Sequence, residues 1–444
     1  MSTRVTPSIL APALTLALLL PPATGLAAQD LTLKEAVESA IESHPAMAGA
    51  GARVDGAEAA LGMARARSIP DVTGTGSLTR YQEPMVVAPL HGFDPLNPPA
   101  FDRTLAQAGV SMGYTLFDGG VRGSRIREGE AGVAALRAIR SATEMKLVEE
   151  ATDAFLALAT AREVAEAARH QTAALQAEAT RAEQRFAEGS AARVEVLRAQ
   201  AALLDVVAQT ASATSRVALM ERALARVMGV PLDQVEDASL TPVSVADAGG
   251  VEPGPDEPPS VLAARRGVEM AQARLRGERA TRLPTVQARG GLLSFMGGGV
   301  DPIVEWQAGV GLSWPIFTGG TRSASIRRAE SEVRAAQEDL RSIRMNEDAA
   351  ADAARASLTE TTARTRALEA AVVQWEEVAR IEALGLESGA GVQSDFLQAE
   401  AGLFRARAGL AQARHEGIMA HLRLARAEGR LTLEWLERTL EMER

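Results

Sequence analysis

Two stretches of the chain alternate apolar residues with small or polar residues at a period of two. The first spans residues 107–117 and the second spans residues 306–316, where the face opposite the apolar one is rich in Gly and Ser. That apolar face consists of Trp306, Ala308, Val310, Leu312, Trp314 and Ile316. Weaker alternation over residues 72–81 and 286–293 precedes each stretch across a loop. The pattern therefore predicts four strands, arranged as two long hairpins.

A long helical stretch follows each hairpin. Residues 120–188 contain no Pro and place apolar positions three and four apart, and residues 320–387 repeat this pattern. A helix of that length is about 100 Å long at 1.5 Å per residue. Each stretch is followed by a Gly, at Gly189 and Gly389, that can adopt the left-handed conformation typical of helix ends. Antiparallel return helices are then predicted in the Ala-rich segments at 193–228 and 392–427.

The chain is built from two copies of one unit. Residues 109–122 match residues 309–322 at an offset of 200, with Gly, Val, Phe and Arg at the same places. Upstream the offset becomes 214, so the first copy holds 14 extra residues. A Pro-rich loop predicted at 83–99 accounts for them, and its short counterpart is predicted at 295–302. The predicted organisation is a first repeat at 29–230, a Pro- and acid-rich linker at 231–259 and a second repeat at 260–444.

The N-terminus has the features of a cleaved secretory signal peptide over residues 1–28. Arg4 precedes an apolar stretch at 9–20, which is followed by two Pro residues and a run of small residues. The apolar stretch is too short to span a bilayer as a helix. An uncleaved anchor is the alternative. The mature chain is expected to start near Gln29 and to be either a soluble periplasmic protein or an outer-membrane barrel protein.

An alternating strand of about ten residues is typical of a half-buried soluble sheet and also of a membrane barrel. Two features favour a membrane barrel over a soluble sheet. Trp306 and Trp314 lie eight residues apart, which is about 26 Å along the strand and about 20 Å across the membrane once the strand is tilted. That height is close to the separation of two interfacial aromatic belts. The Gly- and Ser-rich opposite face suits a wet lumen. Four strands cannot close a barrel, so copies of the chain must pool their strands, and three copies would supply twelve.

The long helices fit either an ordinary coiled coil of a structural protein or a hollow assembly. They lack regular Leu or Ile at the a and d positions of a heptad. Ala at those positions lets helices approach closely and pack side by side into a curved layer. We therefore expect a mainly α chain, in which long antiparallel α-helical hairpins form a periplasmic tunnel and four strands join a transmembrane β-barrel.

Composition argues against several classes of function. With 47 basic and 57 acidic residues the net charge is −10, which does not suit a nucleic-acid partner. The chain has no Cys, which excludes disulfide frameworks, thiolate metal sites and thiol nucleophiles. A hydrolase is a competing class, but the five His residues lack metal-binding spacing, and GxSxG and phosphate-loop motifs are missing. No enzymatic activity, metal or cofactor is therefore expected. A periplasmic adaptor or a coiled-coil structural protein of the cell envelope is the second alternative.

Several motifs together resemble the outer-membrane efflux protein (TolC) family over essentially the whole mature chain. They are LTLKEA at 31–36 with His44-Pro45 after it, GVSMGYTLFDGG at 109–120 with GVGLSWPIFTGG at 309–320, and the tip sequences at 185–201 and 386–401. The resemblance implies a homotrimer with a twelve-stranded barrel in outer-membrane lipid and a twelve-helix periplasmic tunnel. It further implies an exit duct of a tripartite efflux or type I secretion system, which receives substrates from an inner-membrane pump through a periplasmic adaptor.

The resemblance also implies roles for individual residues. The hairpin tips would dock the adaptor, at Gly189, Ser190, Gly389 and Ala390. The pore constriction would lie at Glu195 and Asp395, each six positions after a tip Gly, and at Gln398, where the family can carry a second Asp. The alternative for both acidic residues is that they simply complement the helix dipole in a first helical turn. Interfacial aromatic residues are expected at Trp306, Trp314 and Tyr114. Gly391 stands where the family can carry an Arg.

Overall fold

The computed structural model describes residues 30–91, 95–96, 98–236, 238–245 and 257–442. The predicted signal peptide at 1–28 lies outside the described residues, as does the part of the predicted linker at 246–256. The described chain is mostly helical and contains one four-stranded sheet, which confirms the predicted fold class.

Helices and strands follow one another twice in the same order: a helix, two strands, a long helix and a return helix. The helices are α1 (Leu33–Ser43), α2 (Pro45–Ala66), α3 (Val121–Ala187), α4 (Arg193–Met228), α5 (Asp233–Glu236), α6 (Pro259–Ala280), α7 (Thr321–Glu387), α8 (Gln393–Ala427) and α9 (Leu433–Thr439). The strands are β1 (Asp30–Leu31), β2 (Asp71–Val86), β3 (Phe101–Phe117), β4 (Ser239–Leu240), β5 (Val243–Val245), β6 (Thr285–Met296), β7 (Ile303–Ser313) and β8 (Leu440–Met442).

The four long strands form one antiparallel sheet in the order β2-β3-β6-β7. All four predicted strands are present, and β2, β3 and β6 extend further than the alternation indicated. The prediction for β7 was wrong at its end, because the strand stops at Ser313 and leaves Trp314 and Ile316 outside the ladder. Pro315 explains this ending, since Pro has no N–H to donate and restricts the residue before it.

The loop between β2 and β3 begins later than predicted. Strand β2 continues through Pro84, and its register against β3 shifts between Arg80 and Met85. An irregularity at this point accommodates a Pro that cannot donate to the ladder. From Val87, which is buried, the loop folds back over one face of the sheet. It covers apolar side chains at that end of the strands: Leu105, Leu293 and Phe295.

Helices α3 and α7 each contain 67 residues, as the Pro-free stretches predict. They begin directly after Gly120 and Gly320, both of which have a positive φ. At the start of α3, the Asp118 carboxylate accepts hydrogen bonds at 3.0 Å from the N–H groups of Gly120 and Arg122. Helix α8 starts at Gln393, one residue later than predicted. Within the described ranges, no helix is both long and apolar enough to cross a bilayer.

The main hydrophobic core lies half-way along the long helices. Helix α1 packs there against the middle of α3, the end of α4 and α9, and the end of α8 packs against α3. The fully buried Leu33, Phe155 and Leu422 belong to this core. Part of the predicted linker joins this core, because Val235 of α5 is fully buried in it. Strand β4 pairs with β1, and β5 pairs with β8. The Arg162 side chain anchors this region by donating to the carbonyl oxygen of Val235 at 3.2 Å.

Candidate functional site: hairpin tips, sheet faces and open edges

The two hairpin tips adopt the same turn. Gly189 and Gly389 both have a φ of +76°, in the left-handed region that favours Gly. In each turn the N–H of the next residue donates to the carbonyl five residues earlier, at 2.8 Å for Ser190 and 3.0 Å for Ala390. These bonds satisfy carbonyl groups at the ends of α3 and α7. All four residues are exposed, so both turns are accessible to a partner.

The second tip brings two backbone segments into close contact. A Cβ added at Gly391 would lie 2.7 Å from backbone atoms of Gly385 and Leu386, closer than Cβ atoms normally approach other atoms. The Gly391 N–H also donates to the carbonyl oxygen of Gly385 at 2.8 Å. The shape of this tip therefore excludes a side chain at position 391, where the family can carry an Arg. The sequence feature that could have indicated this close contact is a Gly on each side of the tip, at Gly385 and Gly391.

The two acidic residues predicted at the constriction differ in their contacts. A Glu195 carboxylate oxygen accepts a hydrogen bond from the N–H of Ala192 at 3.5 Å, at the start of α4. Asp395 is exposed in the first turn of α8 and accepts a hydrogen bond from Ser394 Oγ at 3.2 Å. Gln398 is also exposed, one turn further along. Glu195 thus helps to cap its own helix, whereas Asp395 presents its carboxylate to water.

A buried polar contact, which sequence reasoning missed, joins the two hairpins near their tips. Gln393 Nε2 donates to Glu178 Oε1 at 2.8 Å, and both side chains are buried. Arg181 lies 3.2 Å from the second oxygen of the Glu178 carboxylate and 3.6 Å from Glu387. A buried carboxylate without such partners is strongly destabilising, so this contact holds the hairpins in one relative position. Apolar residues from all four long helices pack beside it: Leu175, Val206, Leu386 and Phe396.

The same contact sets the relative height of the two tips. Gln393 lies four residues after Gly389 (393 − 389), whereas Glu178 lies eleven residues before Gly189 (189 − 178). At 1.5 Å per residue, this difference of seven residues places the first tip about 10 Å beyond the second. The two tips therefore present staggered surfaces to a docking partner.

The sheet has one apolar and one polar face. The apolar face is exposed and includes Val72, Val110, Met112, Leu292, Trp306, Val310 and Leu312. The polar face includes Thr73, Thr75, Ser77, Gln107, Ser111, Gln287, Arg289 and Gln307. Trp306 is 77% exposed, which shows how little of the apolar face is covered within the chain. Apolar surface of this extent is typical of contact with a partner or with lipid.

The predicted interfacial aromatic residues do not share one strand. Trp306 lies within β7, whereas Trp314 lies just past its end and donates from Nε1 to the carbonyl oxygen of Arg282 at 3.2 Å. Tyr114 lies on the apolar face of β3, and the Arg122 guanidinium carbon is 5.8 Å from its ring centre. Tyr114 and Trp314 are thus both near the end of the sheet from which the long helices depart.

The two repeats differ in how much of their long helix is covered. Helix α3 buries 21 residues along its length, whereas its counterpart α7 buries seven. Helix α3 packs against α2, α4, α6 and α8, while α7 packs mainly against α6 and α8. Strands β2 and β7 are the two edges of the sheet, and each lacks a second neighbour among the described strands. The second repeat therefore exposes surfaces that the first repeat covers.

Single residues at the strand-to-helix junctions show the same difference. A Cβ added at Gly119 would lie 2.7 Å from the carbonyl oxygen of Ala280 and 2.8 Å from Leu283 Cβ, because α6 packs against this junction. Nothing lies within 4 Å of a Cβ added at Gly319, the equivalent position of the second repeat. By the offset of 214, the counterpart of Leu283 is Ile69, which is exposed. The junction at Gly319 thus lacks, within one chain, the contact that its repeat makes.

Titratable side chains along the helices mainly connect one helix to another. His415 Nε2 on α8 lies 2.9 Å from Asp153 Oδ1 on α3, and this hydrogen bond lowers the pKa of the Asp153 carboxyl. Burial lowers the pKa of His421 and raises the pKa of Glu163 and Glu400. No group of three or more His, Asp or Glu side chains in the described ranges could hold a metal ion.

At the level of sequence, the chain matches one protein family and individual relatives. A family model described as outer membrane efflux protein matches residues 36–230 and 256–430, which is most of the chain. The chain is 24% identical over 427 residues to the outer membrane efflux protein BepC of Brucella suis, covering 93% of this chain and 88% of that protein. It is 24% identical over 305 residues to the outer membrane protein TolC of Vibrio cholerae, covering 66% of this chain and 69% of that protein.

Solved structures share the fold. The outer membrane protein VceC of Vibrio cholerae matches with a TM-score of 0.78 at 20% identity, covering 89% of this chain and 96% of that one. The CmeC outer membrane channel of Campylobacter jejuni matches with a TM-score of 0.77 at 16% identity, covering 89% and 85% of the two chains.

Proposed function

The chain belongs to the outer membrane efflux protein family, and on that premise we propose that three copies of it form one exit duct. It is an outer-membrane efflux protein with a large periplasmic part, and its relatives are channels rather than enzymes. In the proposed duct, substrates pass from an inner-membrane pump through a periplasmic adaptor into the helical tunnel. They leave through the barrel to the exterior.

The observation that supports a ring of copies is the unequal covering of the two repeats. Within one chain, α6 packs on α3. By the internal repeat, the counterpart of α6 is α2 and the counterpart of α3 is α7. We therefore expect α2 of one copy to pack on the exposed surface of α7 in the next copy. Such a contact joins two different surfaces, so it generates a closed ring when the rotation between copies is right.

The edge strands support the same arrangement. Strand β7 of one copy is expected to pair with β2 of the next, because an unpaired amide in hydrocarbon costs several kcal/mol. The exposed apolar face of the sheet would then contact lipid, and the polar face would line the lumen. Eight strands make a barrel that side chains fill, whereas three copies with four strands each make one wide enough for a pore. Helices α3, α4, α7 and α8 of three copies would continue it as a twelve-helix tunnel.

The hairpin tips are proposed to dock the adaptor and to form the constriction. Gly189 with Ser190 and Gly389 with Ala390 make exposed turns that share the same φ and the same backbone hydrogen bond, which suits a repeated docking contact. Three-fold symmetry would turn the carboxylate of Asp395 into a ring of three, with Gln398 one turn further along. Glu195 is the weaker candidate because its carboxylate already caps α4. Trp306, Trp314 and Tyr114 are proposed to lie at the membrane interface.

The oligomeric state is the first experimental test of this proposal. In mild detergent, native mass spectrometry is expected to give three times the mass of the mature chain. Heating in dodecyl sulfate is expected to dissociate this species into single chains, since no Cys is present to link them. A monodisperse single chain that still conducts ions in bilayers would contradict the proposal.

A further inference from the structure

The polar face of the sheet carries an unpaired cation near the end from which the long helices depart. The register places Arg289 of β6 between Gly113 of β3 and Gly309 of β7, so both cross-strand neighbours lack side chains. Arg289 is exposed, and its Nη2 donates to Gln287 Oε1 on the same strand at 2.8 Å. It forms no ion pair with a carboxylate of the described residues. The guanidinium group is thus oriented by an amide and keeps most of its N–H groups free.

An acidic residue lies in the same row of the sheet. Asp71 of β2 pairs with Gly113, so it is two strands, or about 10 Å, away from Arg289. A Cβ added at Gly113 would lie 2.7 Å from Asp71 Oδ1, which shows that the Asp71 carboxylate leans over this Gly. The row therefore contains one cation and one anion, separated by a residue without a side chain.

Two Gly residues of β7 leave space beside Arg289. Neither Gly309 nor Gly311 has a left-handed φ, and nothing lies within 4 Å of a Cβ added at either position. Gly inside a strand weakens it, and it often marks a place where another group approaches closely. Here the two Gly residues help to keep open a recess of about 800 Å³. Its hydrogen-bonding side chains are Ser111, Thr285, Gln287, Arg289, Gln307 and Ser313.

The acidic residue at the other end of the polar face is already engaged. Glu305 of β7 pairs with Leu293 two rows beyond Arg289, and its Oε1 lies 2.9 Å from Nε2 of His91 in the loop after β2. This carboxylate is therefore held at the far end of the strands, away from the recess.

We infer that the recess is an anion-binding site centred on Arg289, which takes small organic oxyanions. The inference rests on the proposed duct, in which the polar face lines the lumen and three copies supply three recesses at one level. A guanidinium donates two parallel N–H bonds to a carboxylate, sulfonate or phosphate group, and Gln307 and Ser111 can donate further hydrogen bonds. Three such cations in a narrow aqueous channel raise the local concentration of anions. The site therefore favours anionic substrates at the barrel, above the acidic constriction.

Block of the channel by benzenesulfonate tests this site in planar bilayers. All proteins carry Asp395→Ala, which weakens the cation selectivity proposed at the constriction, and the probe is added from the barrel side. We expect the probe to reduce the conductance, and Arg289→Gln to raise the half-blocking concentration about tenfold through loss of charge-assisted hydrogen bonds. Gly309→Val is expected to raise it several-fold by filling the recess. Asp71→Asn is expected to lower the half-blocking concentration, because it removes a negative charge that repels the anionic probe.

Two further variants keep the test decisive. Arg80→Gln removes an Arg from the opposite face of the sheet, where Arg80 pairs with Thr104, and should leave the half-blocking concentration unchanged. If Arg289→Gln does not assemble, the half-blocking concentrations of Arg289→Lys and Gly309→Val are compared with that of the parent instead. No block of the Asp395→Ala parent, or the same half-blocking concentration in the parent, Arg289→Gln and Gly309→Val, would overturn the site. Failure of the parent to form channels would instead contradict the proposed duct, so the two failures are distinguishable.

Discussion

Gly389→Trp is expected to reduce export strongly while the protein still assembles in the outer membrane. The φ of +76° at Gly389 costs an ordinary residue about 1 kcal/mol. Nothing lies within 4 Å of a Cβ there, so the indole would project from the tip into the space proposed for the adaptor. The tip is separated from the sheet by about 100 Å of helix, so strand pairing should persist. Obstruction at the centre of a docking surface should reduce export by about tenfold or more.

The measurement is export of an efflux substrate by the native host at equal abundance of trimer. Gly389→Ala is the matched control, because it carries the same backbone cost without the bulk, and it should retain most of the export. Gly189→Trp tests the other tip, which lies about 10 Å further out. Unchanged export in Gly389→Trp would mean that the second tip does not contact the adaptor.

Asp395→Ala is expected to weaken both cation selectivity and block by multivalent cations in the closed channel. Three carboxylates brought together by three-fold symmetry attract cations, as acidic rings do in cation pores. The Asp395 carboxylate forms no ion pair among the described residues, so its charge is available to the pore. Removing it should cost the first turn of α8 only about 0.5 kcal/mol of helix-dipole stabilisation. Trimer yield should therefore remain unchanged.

Glu195→Ala is the matched control for this variant. Glu195 occupies the same position relative to its own tip, but its carboxylate accepts the N–H of Ala192. We expect a much smaller change in selectivity and block, measured in planar bilayers with the cation added from the periplasmic side. Unchanged selectivity and block in Asp395→Ala would mean that this carboxylate only caps its helix and that the constriction lies elsewhere.

Much of the fold could be predicted because it is encoded locally. The bounds of α3 follow from Gly120 and Gly189, between which no Pro or strand pattern interrupts the helical period. The alternation in β7 predicted both faces of the sheet, although the strand ends before Pro315 and the alternation does not. The loop after β2 was placed too early, since Pro84 indicated a loop but lies in the strand at a register shift.

The remaining features depend on residues that are far apart in the chain. Glu178 and Gln393 are 215 residues apart, and nothing near either one indicates their buried hydrogen bond. The recess at Arg289 arises from the register of three strands, which places Gly113 and Gly309 beside it. Residues of the predicted linker, such as Val235, were not recognised as core because a Pro- and acid-rich composition is typical of surface segments. Such contacts become visible only once the strands and helices are placed in space.

Disulfide cross-linking between copies tests the proposed ring most directly. Within one chain, a Cβ added at Gly277 of α6 lies 3.4 Å from Ser124 Cβ of α3, close to the separation found in disulfides. The repeat offsets convert this pair into Met63 of α2 (277 − 214) and Ala324 of α7 (124 + 200), both of which are exposed. The chain has no Cys of its own, so an engineered pair gives no background.

The measurement is mild oxidation of Met63→Cys/Ala324→Cys in intact outer membranes, followed by a non-reducing gel. The proposed ring predicts covalent dimers and trimers with no larger species, while each single-Cys variant stays monomeric. Ser124→Cys/Gly277→Cys is the control and should cross-link only within the chain. The ring would be contradicted if the control pair closed but the Met63/Ala324 pair gave only single chains. Dimers from a single-Cys variant would also contradict it, because they require a contact between identical surfaces.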